Sequence, residues 1–200
     1  MYIIGITGGT GAGKSSAVKA LQALGAVALD CDAIYHEVLL NNKEMKNEIE
    51  TQFNNVSFNG EISREKLSEI VWNNPGSLRK LNAITHKYMD IEINNRISTL
   101  KQQNVNTVVI DAIALIESGQ NNKCDIVVGV VAPKEDRLSR IIQRDNLTKE
   151  HALKRINAQQ PESFYHENCD HIFENAYNSE TEFEARCRDF FEVLLSEQLA

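Results

Sequence analysis

Near the start of the 200-residue chain, Gly8-Gly9-Thr10-Gly11-Ala12-Gly13-Lys14-Ser15 fits the pattern G-x-x-x-x-G-K-[ST]. These residue types in this order bind phosphate. Glycines allow backbone angles that a side chain forbids, so successive N–H groups can close on an anion. A helix that starts at the end of the run adds the partial positive charge of its N-terminus. Lys14 can reach the β- and γ-phosphates of a nucleoside triphosphate, and the Ser15 hydroxyl can ligate Mg²⁺. The motif also has its required context: an apolar run, Tyr2 to Ile6, before it and a helical pattern to about Leu24 after it.

Three other groups could do chemistry. Asp30 and Asp32 follow the short apolar run Ala26–Leu29. On an extended chain, residues two apart point to one side, so both could face a crevice at the end of a strand. The alternative is that one of them caps a helix starting near Ala33. Asp111 ends the β-forming run Val105–Ile110, the pattern of an aspartate that helps to hold Mg²⁺. Arg137, Arg140 and Arg144 share one face of a predicted helix over about 134–145. They fit either a polyphosphate lying across them or a surface stripe relieved by Glu135 and Asp136.

The elements that must position these groups alternate between strand and helix. Gly25 stops the first helix, and residues 33–53 read as helix broken at Asn41-Asn42. Residues 54–61 read as a polar connector, and Ser63 opens a helical run to about Asn73. Pro75-Gly76 is expected to break the chain before a long helix from about Ser77 to Gln102. Asp125–Val131 is an unbroken apolar strand, suited to a parallel sheet covered on both faces. A second helix spans about 147–159 with Thr148 as its cap, Pro161 ends it, and residues 161–169 are expected to be polar and mobile. Ile172-Phe173 forms a short last strand ending at Glu174-Asn175, and residues 179–198 form an amphipathic closing helix.

This order predicts an α/β protein with the doubly wound, five-stranded, mainly parallel sheet of the P-loop NTPase type. It is read as one domain, 1–200, with a helical insertion at about 60–102 that binds the acceptor and a helical lid at about 137–168. Asn122-Lys123-Cys124-Asp125 spells N-K-x-D, a guanine-reading motif of GTPases. Here it precedes a strand instead of following one, and no D-x-x-G follows Asp111, so the GTPase reading fails. A small-molecule kinase fits better. It needs an acceptor beside the γ-phosphate, an acidic group near the acceptor hydroxyl, and cations over the transferred group.

Composition bounds the rest. An apolar content of 42% and a charged content of 24% describe an ordinary globular protein. A net charge of −7 argues against a general nucleic-acid or membrane binder, so any polyanion site must come from local clusters of cations. The four cysteines, Cys31, Cys124, Cys169 and Cys187, lack metal-ligand spacing and read as free thiols of a reducing compartment. The first residues lack the pattern of a secretory segment, and no stretch approaches the ~20 apolar residues needed to span a bilayer. A cytoplasmic protein, a monomer or weak homo-oligomer without nucleic-acid or membrane partners, is expected.

Over nearly its whole length the chain resembles the dephospho-CoA kinase family. The resemblance rests on GITGGTGAGKSS, LGAVALDCDAIYHEV, NGEISREKLSEIVW, LNAITHKYM, RLSRIIQRDNLTKEHALKRINAQQ and CDHIFEN. Many families share the phosphate loop. The D-x-D-x-I-x-H-E segment and the R-x-x-x-R-D…R-I-x-x-Q segment are more specific, and they occur in order. The resemblance implies transfer of phosphate from ATP, with Mg²⁺, to the ribose 3′-hydroxyl of dephospho-CoA. It implies that Gly11, Ala12, Gly13, Lys14, Ser15 and Ser16 hold the ATP phosphates, with Ser15 on the metal. Asp32 would orient the 3′-hydroxyl and accept its proton. Arg140 and Arg144 would close on the transferred phosphoryl, with Lys14 as the third catalytic cation. Arg64 and His86 would lie on the acceptor side, and Asn175 would border adenine.

The chain departs from the family pattern on the acceptor side. Ser63 stands where the family often has Asp, Lys87 where it often has Pro, and Ile113 where it usually has Pro. Lys87 could contact the acceptor's pyrophosphate or simply be solvated. Another small-molecule or nucleoside monophosphate kinase, and an ATP-binding regulatory module, are the competing readings. The intact Arg140, Arg144 and Arg155 argue against the second.

Overall fold

The structure, a computed structural model, describes residues 1–58, 61–72, 74–177 and 179–198, the side chains of residues 58 and 198 excepted. In chain order the elements are β1 (Tyr2–Gly8), α1 (Lys14–Ala23), β2 (Val27–Asp30), α2 (Cys31–Asn41), α3 (Lys43–Gln52), β3 (Ser57–Phe58), β4 (Glu61–Ile62), α4 (Arg64–Trp72), α5 (Pro75–Gln102), β5 (Thr107–Asp111), β6 (Ile126–Val131), α6 (Lys134–Asp145), α7 (Lys149–Asn157), α8 (Glu162–Asn168), β7 (His171–Glu174) and α9 (Glu180–Gln198). Their contacts divide the chain into two compact units, Met1–Leu29 with Lys101–Ala200, and Asp30–Leu100. The stretch read as an insertion, about 60–102, lies almost wholly in the second.

The first unit holds a five-stranded sheet in the order β2-β5-β1-β6-β7. β1 runs parallel to β5, with Ile6 opposite Asp111, and parallel to β6, with Gly8 opposite Val130; β6 runs parallel to β7. The chain leaves β1 towards one edge and later returns to its other side at β6. The loop after β1 therefore opens at the topological switch point, where open α/β sheets bind ligands. All six residues of β6 are buried, as a strand covered on both faces requires. On one side, α1 and α9 close over Ile4, Ile6 and Val128 with Leu21, Phe183 and Phe191.

Two aspartates seat the strands. Asp125 Oδ2 accepts from the Ile3 N–H at 2.7 Å, and Asp170 Oδ2 accepts from the Val127 N–H at 2.7 Å. The aspartate of the N-K-x-D string thus satisfies a backbone donor at the start of β1.

The second unit is mostly helical, with Ile34, Met45, Ile49 and Ile93 almost fully buried. The break expected at Asn41-Asn42 is present: Asn42 Oδ1 caps α3 by accepting from Met45 N at 2.8 Å. Arg96 joins Glu92, at 2.7 Å, and Glu37 of α2. Among the described residues, no helix is long and apolar enough to cross a membrane.

Four local expectations are corrected. Residues 57–58 and 61–62 pair as a short antiparallel hairpin inside the stretch read as a connector. Pro75 begins α5 instead of breaking the chain ahead of it, because the first helical position needs no N–H from its residue. Residues 162–168, expected to be mobile, form α8, with Tyr165 only 2% exposed. Packing of one aromatic ring outweighs the polar composition around it. α2 begins at Cys31, two residues before the expected start, so Asp32 lies in a helix and not on the end of a strand. The run that Ser63 is expected to open is present, with Ser63 as the cap and Arg64 as the first helical residue; its expected end at Asn73 lies outside the described residues.

Candidate active site

The phosphate loop is held from behind through its carbonyls. Gly9 O accepts from Ala12 N at 3.0 Å, and Gly13 O accepts from Ser16 N at 3.0 Å. Arg137 Nε donates to Thr10 O at 3.0 Å, Arg140 donates through a terminal nitrogen to Gly11 O at 3.2 Å, and Asn175 Nδ2 donates to Ala12 O at 2.9 Å. Five consecutive carbonyls are therefore occupied by donors of the protein. A trans peptide points its C=O and the following N–H in opposite directions. With the carbonyls of Thr10, Ala12 and Gly13 turned back into the fold, the N–H groups of Gly11, Gly13 and Lys14 point the other way. Convergent N–H groups at the start of a helix form an anion nest.

Gly11 and Gly13 are required for this shape. Their φ angles are +79° and +109°, and a Cβ on Gly13 would lie 2.3 Å from Asn175 Nδ2. Lys14 is the first residue of α1 and half-buried, Ser15 is exposed, and Ser16 is buried. Ser15 and Asp111 offer a hydroxyl and a carboxylate, both hard oxygen donors of the kind Mg²⁺ takes. Asp111 ends β5 beside β1, the strand that feeds the loop. The donor set fits Mg²⁺, which shares its coordination with substrate phosphates and water. Among the described residues, no group of three or more His, Cys, Asp or Glu forms a metal site of its own.

The three arginines of α6 divide. Arg137 and Arg140 turn to the loop, and Arg140 also reaches Asn175 Oδ1 at 3.5 Å and Tyr177 O at 3.4 Å. Arg144 instead pairs with Asp145 through Nε at 2.7 Å and a terminal nitrogen at 3.0 Å. Arg155 of α7 donates to the same carboxylate at 2.5 Å. The hydrogen bond from Arg144, and then the Arg155 charge, hold the Asp145 carboxyl below its ordinary range. Burial lowers the Arg137 guanidinium pKa.

Asp30 Oδ1 accepts from Asp32 N at 2.9 Å and from Ala33 N at 3.0 Å. It is the cap that the sequence left as one of two choices. Asp32 lies exposed in the first turn of α2. Strand alternation therefore does not put the two carboxylates on one side, because the chain turns helical between them. Arg64, the first residue of α4, lies 3.4 Å from His36 Nδ1 through a terminal nitrogen. Asp32 and His36 are one helical turn apart on α2. His86 is half-buried on α5. Ser63 Oγ accepts from Lys66 N at 3.4 Å, so it keeps the capping function that Asp would also serve. Lys87 pairs with Glu48 at 2.7 Å, a carboxylate that also accepts from Tyr88 Oη at 2.8 Å. Lys87 is thus an ion-pair partner within this unit, with its side chain 54% exposed. Ile113 O accepts from the buried Thr7 hydroxyl at 3.0 Å.

The sequence assigns no role to Gln159, and offers Arg137 a polyphosphate or the neighbouring Glu135 and Asp136, where the structure gives it Thr10 O and Gln159 Oε1. Gln159 closes the R-I-x-x-Q segment, and that spacing was the available signal. Its contacts cross the fold and were not readable. The thiols of Cys124 and Cys187 are pushed up to about 12, and that of Cys169 to about 11, by burial. As protonated thiols they are poor nucleophiles and metal ligands.

A family model described as dephospho-CoA kinase matches residues 2–181. The dephospho-CoA kinase of Latilactobacillus sakei subsp. sakei is 33% identical over 175 residues, 87% of each chain. The chain superposes on TT1252 from Thermus thermophilus with a TM-score of 0.81 and 28% identity, over 98% of this chain and 97% of that one. It superposes on the dephospho-CoA kinase of Campylobacter jejuni with a TM-score of 0.70 and 27% identity, over 98% of both chains.

Proposed function

The chain belongs to the dephospho-CoA kinase family, and from that premise we propose how its residues divide the work. The reaction is the ATP-dependent phosphorylation of dephospho-CoA to coenzyme A, the last step of coenzyme A synthesis. The acceptor atom is the ribose 3′-hydroxyl. Residues Gly11–Ser16 bind the ATP phosphates, and Asn175 borders the adenine. The orientation of the loop's peptides carries this reading. Carbonyls held from behind leave N–H groups preorganised for anionic oxygens, and preorganised dipoles need no rearrangement as charge moves in the transition state.

Lys14 neutralises the β- and γ-phosphates. Ser15 and Asp111 would hold Mg²⁺, whose charge would offset that of the phosphates. Asp30 stays a helix cap. Asp32 orients the 3′-hydroxyl and accepts its proton. Arg64 and His86 bind the acceptor. Arg140, which the resemblance puts with Arg144 on the transferred phosphoryl, is read instead as bracing the loop through Gly11 O, and Arg144 is the cation that exchanges Asp145 for the transferred phosphoryl. The enzyme works in the cytoplasm as a monomer or weak homo-oligomer, without nucleic acid or membrane.

Phosphoryl transfer has a loose transition state, so placement and charge matter more than a strong base. Lys14→Ala and Arg144→Ala should therefore each reduce turnover at least as much as Asp32→Asn. The deciding experiment measures ADP release from ATP and Mg²⁺ with dephospho-CoA, and with AMP in parallel. Turnover with dephospho-CoA alone supports the reading. Turnover with AMP instead overturns the acceptor assignment. Complete loss in Asp32→Asn beside near-normal Lys14→Ala would reverse the division of roles.

A further inference from the structure

Arg137 and Gln159 meet at one residue of the phosphate loop. Arg137 Nε donates to Thr10 O at 3.0 Å, and a terminal nitrogen of the same guanidinium donates to Gln159 Oε1 at 2.6 Å. Gln159 Oε1 also accepts from Thr10 N at 3.0 Å, and Gln159 Nε2 donates to Thr10 Oγ1 at 2.6 Å. The amide orientation of Gln159 follows from its neighbours: the atom that faces two pure donors is the oxygen. Thr10 is 8% exposed, so these partners replace water rather than compete with it. The guanidinium also packs on the loop. A Cβ on Gly9 would lie 2.3 Å from a terminal nitrogen of Arg137.

The geometry points to Arg137 and Gln159 as positioning residues for the ATP phosphates; this rests on reading residues 8–16 as the ATP site. Together they hold both peptides that flank Thr10. Gln159 holds the N–H on one side, Arg137 holds the C=O on the other, and each supports its partner. Fixing the Thr10 carbonyl fixes the Gly11 N–H on the same peptide plane, one of the donors of the nest. The two residues come from opposite ends of the lid helices, Arg137 in α6 and Gln159 two residues beyond α7. Through them, the packing of α6 against α7 sets the shape of the loop that receives the nucleotide. They touch the nucleotide only through the loop, so their loss should act mainly on ATP binding.

The test uses Arg137→Lys, Gln159→Ala and the double variant in the full-length protein. Lysine keeps the charge but cannot bridge Thr10 O and Gln159 as a planar fork does. Binding of MgATP is titrated calorimetrically without acceptor, and thermal melting confirms folding. Each single variant should weaken MgATP binding about tenfold, and the double variant by ~10–20-fold rather than the ~100-fold of independent sites. In turnover, KM for ATP should rise by more than kcat falls, and KM for dephospho-CoA should stay within about twofold. Wild-type MgATP affinity in either single variant would overturn the inference. So would multiplicative effects, or a fall in kcat with KM for ATP unchanged. Thr10→Val, which puts a methyl group in place of the hydroxyl, provides a loop-side check if a lid variant fails to fold, and wild-type affinity there would also count against it. The titration needs no acceptor, so wild-type protein that binds MgATP but ignores dephospho-CoA would overturn the acceptor reading and leave this one standing.

Discussion

The two ends of α6 use the same side chain differently. Within its first two turns, Arg137 and Arg140 donate to the carbonyls of Thr10 and Gly11. At its C-terminal end, Arg144 and Arg155 share the Asp145 carboxylate, and the Arg144 side chain is 60% exposed. At the first end the cation is part of the fold, because its partners are shielded carbonyls that would otherwise go unsatisfied. At the second it sits in an exposed ion cluster, where the Coulomb gain is small and easily exchanged for another anion. A cation that must hold a loop belongs at the first end. One that must leave its partner to meet a phosphoryl group belongs at the second.

The sharpest way to break this contrast is Arg140→Ala. It removes donors to Gly11 O, Asn175 Oδ1 and Tyr177 O, and kcat/KM for ATP should fall on the order of 30–100-fold, mostly through KM. A fall confined to kcat would move Arg140 into the same class as Arg144. Next comes Arg144→Ala, for which kcat should fall about tenfold or more while KM for ATP changes little. Steady-state kinetics with ATP as the varied substrate separates the two patterns, and a KM effect here would erase the difference between the ends.

Asn175→Ala tests the anchored end without touching charge. Asn175 is 5% exposed, and its loss leaves Ala12 O without its donor. A cost of about 1–3 kcal/mol should lower Tm by ~2–10 °C in a chain of this size. An unchanged melting temperature would mean that the loop holds its shape without the brace. The smallest effect belongs to Asp145→Asn. The Asp145 carboxyl titrates lower folded than unfolded, because Arg144 and then Arg155 favour its charged form. The stability it adds is present above the ordinary carboxylate range, about pH 4, and is lost as pH falls through the folded value. Melting curves of the two proteins should differ slightly at neutral pH and converge in acid; divergence on acidification would reverse the sign.

Much of the phosphate site was legible because it is local. Gly11 and Gly13 carry the positive φ angles that the loop needs, and the strand and helix that flank them are contiguous in the chain. Asn42 and Thr148 cap the helices that follow them for the same reason. Where sequence reasoning missed, a distant contact outweighed a local preference. Tyr165 makes a helix of a polar stretch by burying one ring. The cap at Asp30, in contrast, is one of the readings the sequence left open, and it is a local one: the chain turns helical at Cys31, directly after it.

The sequence by itself determined that a strand runs into a glycine loop and then a helix, that the loop has the residue types and spacing of a phosphate-binding loop, and that an arginine-bearing helix follows the strand Ile126–Val131. Which arginine braces the loop and which stays with an acidic neighbour was decided only by the tertiary structure. The bonds that matter join Thr10 to Arg137 across 127 residues, Thr10 to Gln159 across 149, and Ala12 to Asn175 across 163. The spacing of residues along a helix fixes which side chains share a face. What that face meets depends on how parallel strands, each separated from the next by a long crossover, bring distant ends of the chain together.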